Sequence, residues 1–362
     1  MKKAAFILIA VLLLVSLVAC MAACGDDEET PETTAAAQGT ETTAAAAEDA
    51  VVLRFTVPHP AGDPVTENFQ KEFVDKFNAQ AGGKYIIELH PNGSLVSVPD
   101  SCESVRTGGV EMGEWAIAVF GSIDPLFNMA ELPFSVNSIE ADAAYTQQMQ
   151  KVYDQVASEK HNMKCVIAHT CQGLDIISKE PVKTLADWDK LLCQTISPPT
   201  AKVVELLGGA GVALDFAEGY QAMQKGVIEA SLQSGSMIIM FKMNEVAKYL
   251  TRAYLTPASI ALFMNLDAYN KMPADIKTIF DKCAADAQVA INNNMIQYYK
   301  DNYAKMTEIG IEVYPLPGAE RDKWAEKLKP FADELLAGVD PAVAEQVKQI
   351  TQQLDTQFPY QD

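Results

Sequence analysis

Segments typical of β-strands alternate with segments typical of α-helices along most of this chain. The apolar, valine-rich run Val51–Val57 predicts a strand. Apolar residues then recur at every fourth position, at Val65, Phe69, Phe73 and Phe77. This spacing predicts an amphipathic helix that begins near Asp63. Strands that alternate with helices predict an α/β architecture with largely parallel sheets.

The alternation continues to the last third of the chain. It predicts strands at 85–89, 112–118, 165–168, 191–196, 212–214, 228–231 and 311–314, and helices near 100–107, 139–160, 199–207 and 217–225. From Pro273 a helical pattern runs to about Met306. At about 1.5 Å per residue this helix spans about 50 Å, which is longer than one small domain. We therefore expect it to brace two domains.

The length, composition and net charge of the chain exclude several classes of function. The chain has 362 residues, enough for two or three domains, and 49% of them are apolar, which excludes disorder throughout. The formal net charge is −20, from 48 acidic and 28 basic residues. A surface this acidic argues against binding to nucleic acid and against adhesion to anionic lipid.

Residues 1–24 read as an export signal. Lys2 and Lys3 precede an apolar stretch that is too short for a comfortable membrane span. Cys20 and Cys24 each follow small residues and resemble the cysteine of a bacterial lipobox, which receives a lipid and becomes the first mature residue. Leu17 favours Cys20 and Gly25 favours Cys24, so both are candidates. The alternative is an ordinary cleaved signal or a membrane anchor.

Residues 25–50 consist mainly of threonine, alanine and acidic residues, with no aromatic residue. Such a segment has nothing to bury and predicts a disordered acidic tether. The remaining body is thus expected outside the cytoplasm, on the outer face of the cytoplasmic membrane. It holds five scattered cysteines (Cys102, Cys165, Cys171, Cys193 and Cys283), which do not form a disulfide framework and leave at least one thiol free.

Sequence motifs of common enzymes are absent from the chain. It has no GxSxG, HExxH, Walker or GxGxxG motif and no EF-hand loop. Cys165, His169 and Cys171 are close enough to suggest a metal site, but no second ligand pair at zinc-site spacing follows. We therefore predict no catalytic residues, no metal and no cofactor, and favour a binding function.

An ordered set of motifs resembles one family of transport proteins. The segments are NGSL at 92–95, GVEMGEW at 109–115, ELPF at 131–134, PVKTLADW at 181–188, LLGG at 206–209, GYQAMQKGVIEA at 219–230, FKMNEVAKY at 241–249 and MN at 264–265. Their order is similar to that in the extracytoplasmic solute-binding proteins of tripartite ATP-independent periplasmic (TRAP) transporters. The resemblance covers essentially all of residues 51–315.

The resemblance implies a two-lobed, type II periplasmic-binding-protein fold whose long helix crosses both lobes. Lobe I would comprise residues 51–172 and 262–305, and lobe II residues 173–261 and 306–362. A small organic solute would be captured in the cleft between the lobes and delivered to the permease subunits in the membrane. The alternatives are a lipid-anchored extracellular enzyme on a binding-protein-like scaffold and a receptor for an ATP-driven importer.

One position departs from the family pattern. Members of the family carry an arginine that pairs with the substrate carboxylate, and alignment on the motif at 181–188 puts Gln194 there. A neutral amide can donate a hydrogen bond to a carboxylate but cannot neutralise its charge. The departure argues against a simple acidic substrate unless another base substitutes.

Six further residues are candidates for the ligand site. The resemblance places Trp115 as a cleft-facing aromatic and Gln233 where many members carry a ligand-binding asparagine. His169 and Gln172 follow a predicted strand, at the end where α/β proteins bind ligands. His59 follows the first strand, and Tyr220 opens a predicted helix. For each of them, core packing or a solvated loop is the structural alternative.

Overall fold

The computed structural model describes residues 50–361. The predictions for the export signal, for Cys20 and Cys24 and for most of the acidic tether lie outside this range. Within it, every helix is too short or too polar to cross a membrane.

The first sheet has five strands in the order β2-β1-β3-β10-β4. Their bounds are β1 Val51–Thr56, β2 Tyr85–His90, β3 Met112–Ala116, β4 Met163–Thr170 and β10 Ser259–Asn265. Strand β1 pairs in parallel with both β2 and β3, whereas β10 is antiparallel to β3 and to β4. Hence β1, β3 and β4 point the same way and end at one edge.

The second sheet has six strands in the order β11-β9-β5-β8-β6-β7. Their bounds are β5 Asp175–Ser178, β6 Leu192–Thr195, β7 Ala210–Ala213, β8 Ala230–Gln233, β9 Tyr249–Arg252 and β11 Glu312–Pro315. Strand β6 is parallel to β7 and β8, and β5 is antiparallel to β8 and β9. Each sheet is therefore mostly parallel with one antiparallel strand, as expected for this fold class.

Helices cover both sheets. Their bounds are α1 Pro64–Phe69, α2 Asp75–Gln80, α3 Val98–Thr107, α4 Ile139–Lys160, α5 Pro198–Leu207, α6 Phe216–Gln224, α7 Gly235–Met240, α8 Leu266–Lys271, α9 Ala274–Glu308, α10 Gly318–Ala337 and α11 Pro341–Gln357. The helix predicted near Asp63 is confirmed: the Asp63 side chain accepts a hydrogen bond from Val65 N and caps α1. A π-helical turn at Gln70–Val74 joins α1 to α2.

Each sheet has an apolar core on both faces. One face of the first sheet is covered by α3 and α4, and the other by α1, α2 and most of α9. In the second sheet, the core around the edge-to-face pair Trp188 and Trp324 lies under α5 and α10. The core around Met223 and Ile238 lies under α6 and α7. Two cored sheets confirm the two-lobed α/β fold.

The long helix belongs to both lobes. Helix α9 has 35 residues. Ile276 and Ile291 are part of the first lobe's core, whereas Met306 is buried in the second lobe's core. The prediction of a bracing helix is confirmed, because its apolar residues are shared between the two cores.

The C terminus differs from the predicted lobe division. Val347, Ile350 and Leu354 of α11 are buried with Val152 and Tyr153 in the first lobe's core, although residues 306–362 were expected in lobe II. The segment returns to lobe I because the apolar face of α11 completes the core beneath α4. The first lobe also takes in β10 from Ser259 onward, three residues before the predicted boundary.

The cysteines of the described body are buried and free. Cys102, Cys165, Cys171, Cys193 and Cys283 all lack a disulfide partner. Cys102 and Cys165 belong to one core of the first lobe, Cys283 to its other core and Cys193 to a core of the second lobe. No cluster of metal-ligating side chains occurs between residues 50 and 361.

Candidate functional site

The carboxyl edge of the first sheet brings three polar side chains together. His59 follows the end of β1, Glu114 lies near the end of β3, and His169 lies near the end of β4. The Nε2 atoms of His59 and His169 are 3.7 Å and 3.6 Å from Glu114 Oε1. His59 and His169, which were predicted as separate candidates, thus both lie beside Glu114, because parallel strands end at the same edge. We call Glu114, His59, His169 and the neighbouring Asp63 the acidic pole.

Charges alternate through the acidic pole. Asp63 Oδ1 lies 3.7 Å from His59 Nδ1, so His59 stands between two carboxylates. Burial opposes the charged form of His59, but Glu114 and Asp63 outweigh it and raise the pKa of the imidazole. Burial likewise opposes the charge on Glu114, but the two imidazoles outweigh it and lower the pKa of Glu114 to about 2. The Glu114 carboxylate is therefore ionised while it is only 2% exposed.

The facing edge of the second sheet carries neutral amides. Gln194 lies in β6 and is fully buried. Its Nε2 donates to the carbonyl oxygens of Leu214 (3.2 Å) and Asp215 (2.7 Å). Its Oε1 accepts from Ser231 Oγ at 2.9 Å and from Gln233 Nε2 at 3.4 Å. Both N–H donors and both acceptor positions of the Gln194 amide are therefore paired within lobe II.

Gly219 is packed directly on this amide. A Cβ at position 219 would lie 2.4 Å from Gln194 Oε1. The helix α6 can approach the end of β6 only because the residue is glycine. Gln194 is thus a structural link between β6, β8 and α6 at the edge of the cleft.

Gln172 occupies the segment that joins the two sheets. Its backbone has a φ of 68°, and its N–H donates to Thr170 Oγ1 at 2.8 Å. Its Oε1 accepts from Gly235 N at 3.2 Å, where α7 of lobe II begins. A side chain at position 235 would collide with Gln172 Oε1 and with Met306 Cε, at 2.9 Å and 2.5 Å. Gln172 therefore lies at the meeting point of both lobes and the long helix.

Several of these buried polar side chains lack partners in the part of the chain that the structure describes. They are the two carboxylate oxygens of Glu114, His169 Nε2, Gln172 Nε2 and Gln233 Oε1. All four residues lie at the edges where the two sheets face each other. Buried polar atoms are nearly always hydrogen-bonded in native proteins. These unsatisfied atoms make the region a candidate site for a polar ligand.

A second polar contact joins the lobes beside this cluster. Ser197, the residue that caps α5 of lobe II, donates a short hydrogen bond to Glu131, which follows β3 in lobe I. Burial raises the pKa of Glu131 to about 7, and the hydrogen bond from Ser197 opposes the increase only in part. Glu131 thus contacts lobe II with a carboxyl group that readily holds a proton.

The structure places two of the predicted residues away from the cluster. Trp115 is 1% exposed and stacks on Phe263 at 5.0 Å in the core under α3 and α4. It follows Glu114 on β3 and so points to the opposite face of the sheet. Tyr220 packs against the lobe II core, and its hydroxyl donates to Glu245 at 3.0 Å. Both side chains therefore pack with apolar residues, which was the structural alternative to ligand binding.

Sequence reasoning missed Glu114, Glu131 and Ser231. A signal for Glu114 was available, because it is a carboxylate within the otherwise uncharged strand Met112–Ala116. Acidic side chains are almost never fully buried unless they are paired. Ser231 and Glu131 gave no such signal, because their contacts are made across the sheet or across the lobes.

One family model matches most of the chain. The model of bacterial extracellular solute-binding proteins, family 7, matches residues 55–338. The C4-dicarboxylate-binding periplasmic protein of Rhodobacter capsulatus is 26% identical over 289 residues, which are 78% of this chain and 84% of that protein. The C4-dicarboxylate-binding protein of Bacillus subtilis is 24% identical over 307 residues, 78% of this chain and 81% of that protein.

Solved structures show the same fold. An extracytoplasmic solute receptor of Bordetella pertussis that binds pyroglutamic acid superposes with a TM-score of 0.77 at 21% identity, over 84% of this chain and all of that chain. A TRAP periplasmic solute-binding protein of Pseudomonas putida with bound D-glucuronate gives a TM-score of 0.74 at 20% identity, over 83% of this chain and 96% of that chain.

Removing the Gln194 amide is expected to weaken lobe II. The substitution Gln194→Ala leaves the carbonyls of Leu214 and Asp215 and the hydroxyl of Ser231 without this partner. We expect the free energy of unfolding to fall by about 2 kcal/mol in denaturant titration. The same substitution at exposed Gln349 is the control and should change it by less than about 0.5 kcal/mol. Equal stability of the two variants would contradict this role of Gln194.

The buried Glu131 carboxyl is expected to make stability depend on pH. Its pKa is higher in the folded chain than in the unfolded one, so the folded state holds the proton more tightly. Stability from this group is fully present below about pH 4.5 and is lost as pH rises toward 7. Glu131→Gln should leave stability at pH 5 nearly unchanged and raise it at pH 8 by about 2 kcal/mol.

Denaturant titrations at the two pH values measure this difference. Glu326→Gln, on the exposed face of α10, is the matched control and should behave as the unmodified protein at both. If Glu131→Gln gains no stability at pH 8 relative to pH 5, the carboxyl is not held in its protonated form by burial.

Proposed function

Because the chain belongs to the bacterial extracellular solute-binding proteins of family 7, we propose that it is a lipid-anchored receptor. It captures a small polar organic solute between its lobes and delivers it to a TRAP-type membrane permease. The observation that carries this proposal is the cluster of unsatisfied buried polar atoms on Glu114, His169, Gln172 and Gln233, at the facing edges of the two sheets.

Membership of this family confirms the resemblance to TRAP solute-binding proteins. The matched relatives and fold neighbours are solute-binding proteins, so the chain is a binding protein and not an enzyme. Delivery to a TRAP-type permease is favoured over an ATP-driven importer because several fold neighbours are described as TRAP proteins.

Closure of the lobes is the step that we propose for capture. Four segments connect the lobes: residues 171–174, residues 253–258, helix α9 and residues 338–340 between α10 and α11. A rotation about these segments opens the cleft, admits the solute and then covers it with lobe II. Contacts such as Glu131 to Ser197 form only when the lobes meet. We assign α11 to lobe I in this movement, because its apolar face belongs to that lobe's core.

The relatives' names suggest acids as one solute class. Two bind C4-dicarboxylates, and two fold neighbours hold pyroglutamate or D-glucuronate, all of which carry a carboxylate. In this chain, however, Gln194 stands where the family pattern has the carboxylate-pairing arginine, and its amide is already committed to lobe II. The proposal is therefore a receptor for a small polar solute, without transfer of the relatives' ligands.

The proposed lipid anchor is based on the sequence of the first 50 residues. Lipidation at Cys20 or Cys24 would hold the mature chain at the outer face of the cytoplasmic membrane. The acidic segment 25–50 would then serve as a tether, long enough for the two-lobed body to search for solute and to dock on a permease. A lipid chain supplies the membrane affinity that an acidic surface does not.

Solute capture predicts stabilisation by a ligand. We expect at least one compound from a library of polar metabolites to raise the melting temperature of the mature protein in detergent. At 100 times its Kd, a ligand adds about 2.7 kcal/mol to the free energy of unfolding. Mass spectrometry of the bound compound should recover it unchanged. Chemical turnover of the compound, or no stabilisation by any member of the library, would contradict the receptor function.

The anchoring predicts that one cysteine carries lipid. The full-length chain expressed in a bacterium should partition into detergent, and mass spectrometry should find a lipidated N-terminal Cys20 or Cys24. Of the two variants Cys20→Ser and Cys24→Ser, one should abolish the modification and the other serve as its matched control. A cleaved, unmodified and water-soluble mature chain would rule out the lipid anchor.

A further inference from the structure

The ionised carboxylate of Glu114 is short of hydrogen-bond donors. Both nearby imidazole nitrogens approach the same oxygen, Oε1, and at 3.6 Å and 3.7 Å they are beyond hydrogen-bonding distance. Neither Oε1 nor Oε2 accepts a hydrogen bond from any group within residues 50–361. A buried charge in this condition is costly unless donors reach it. Among the described residues, Glu114 therefore lacks the N–H or O–H donors that would stabilise its charge.

His169 does not supply the missing donor. Its Nδ1 lies 3.1 Å from the carbonyl oxygen of Thr170. Its Nε2 lies 3.6 Å from Glu114 Oε1, beyond hydrogen-bonding distance, and has no partner among the described residues. A polar group placed between these two atoms would reach both.

Lobe II also offers an acceptor. Gln233 is fully buried, and its Nε2 points to Gln194, which leaves its carbonyl oxygen without a partner among the described residues. Gln172 Nε2 is an unsatisfied donor in the same region. The unsatisfied atoms thus include the Glu114 carboxylate and the Gln233 amide oxygen as acceptors.

The cation that an acidic ligand would need is engaged elsewhere. Arg321 is the one buried Lys or Arg side chain of the described body. It donates to the carbonyl oxygens of Val136 and Ala253 and lies between the rings of Phe134 and Tyr360, within 4.7 Å of each centroid. A ligand carboxylate in the cluster would meet the Glu114 carboxylate, and the cationic side chain beside it, His59, already stands between Glu114 and Asp63.

We propose that the solute of this receptor carries an ammonium group, which donates to the Glu114 carboxylate in the closed cleft, and that Gln233 Oε1 accepts a further hydrogen bond from the solute. The inference rests on the proposed function and specifies its solute class as a small organic amine or amino acid. An ammonium has three N–H donors, enough for both carboxylate oxygens of Glu114. Its positive charge pairs with the Glu114 carboxylate, and Gln172 Nε2 remains available for an oxygen elsewhere on the solute.

A retention experiment tests this class directly. The mature protein is equilibrated with a defined mixture of amines, amino acids, dicarboxylates, uronates and polyols, including 1,4-diaminobutane, 4-aminobutanoate, succinate, pyroglutamate and D-glucuronate. It is then rapidly desalted, and the retained compounds are identified by mass spectrometry. The expected result is that every strongly retained compound carries a protonated nitrogen.

Two variants locate the binding group. Glu114→Gln should weaken the affinity for the retained amine by about tenfold or more, because a charge-assisted contact is lost. The variant should still fold, since no hydrogen bond of the described body ends on that side chain. Glu326→Gln is the matched control and should bind as the unmodified protein does. Gln233→Met, which removes the acceptor in lobe II, gives a second reading and should weaken binding several-fold.

The outcomes separate this inference from the receptor function. Retention of succinate, D-glucuronate or another solute without a basic nitrogen would overturn the ammonium assignment and leave the receptor function intact. Unchanged amine affinity in both Glu114→Gln and Gln233→Met would also overturn the assignment. If the protein retains no compound of any class, both the receptor function and the inference fail.

Discussion

The buried carboxylate of Asp175 ties together three of the four connections between the lobes: the two crossing segments and helix α9. It stands at the start of β5, directly after the first crossing segment. Its Oδ1 accepts from the backbone N–H groups of Ala253 (2.9 Å) and Tyr254 (3.1 Å), which begin the second crossing. Its Oδ2 accepts a short hydrogen bond from the hydroxyl of Tyr303 on α9. The two crossing segments also bond to each other, through Leu174 N to Thr256 O and Leu255 N to Leu174 O. The edges of both sheets are positioned by this junction, so the geometry of the cleft depends on it.

Much of the fold could be predicted from the sequence, because its main elements have strong local signals. The four-residue spacing after Asp63, the helix at Ile139–Lys160 and the long helix from Pro273 all lie where periodicity put them. Strands β5, β9 and β10 were missed. Strands β5 and β9 have four residues each and pair with each other, and β10 is recognised by its antiparallel pairing with β3 and β4. Pairing between distant segments leaves no periodic trace in a short run of sequence. The packing of α11 in the first lobe's core likewise depends on contacts between distant segments.

The candidate site residues were chosen from their positions in the sequence, whereas their contacts are seen only in the fold. Strand ends identified His59, His169 and Gln172, since the carboxyl edge of a sheet is set by topology. The family pattern identified position 194, but the function of Gln194 follows from Leu214, Asp215 and Ser231, which only the fold brings to it. For Trp115 the pattern identified the strand but not the face. Glu114, its neighbour, faces the cleft instead.

Most of the net charge of −20 comes from exposed acidic residues and from the segment 25–50. The charges at the facing edges of the lobes have to be considered apart from it. Lobe I contributes the ionised Glu114 and both histidines, and lobe II contributes amides and hydroxyls at the facing edge. This asymmetry means that electrostatic recognition is complete on one lobe before closure. Lobe II can then close over a bound solute without bringing a second charge into the interior, which would add a desolvation cost. In the proposed receptor, the charged group that meets the solute is Glu114 of lobe I, whereas position 194 of lobe II holds a neutral amide that is bonded within its own lobe.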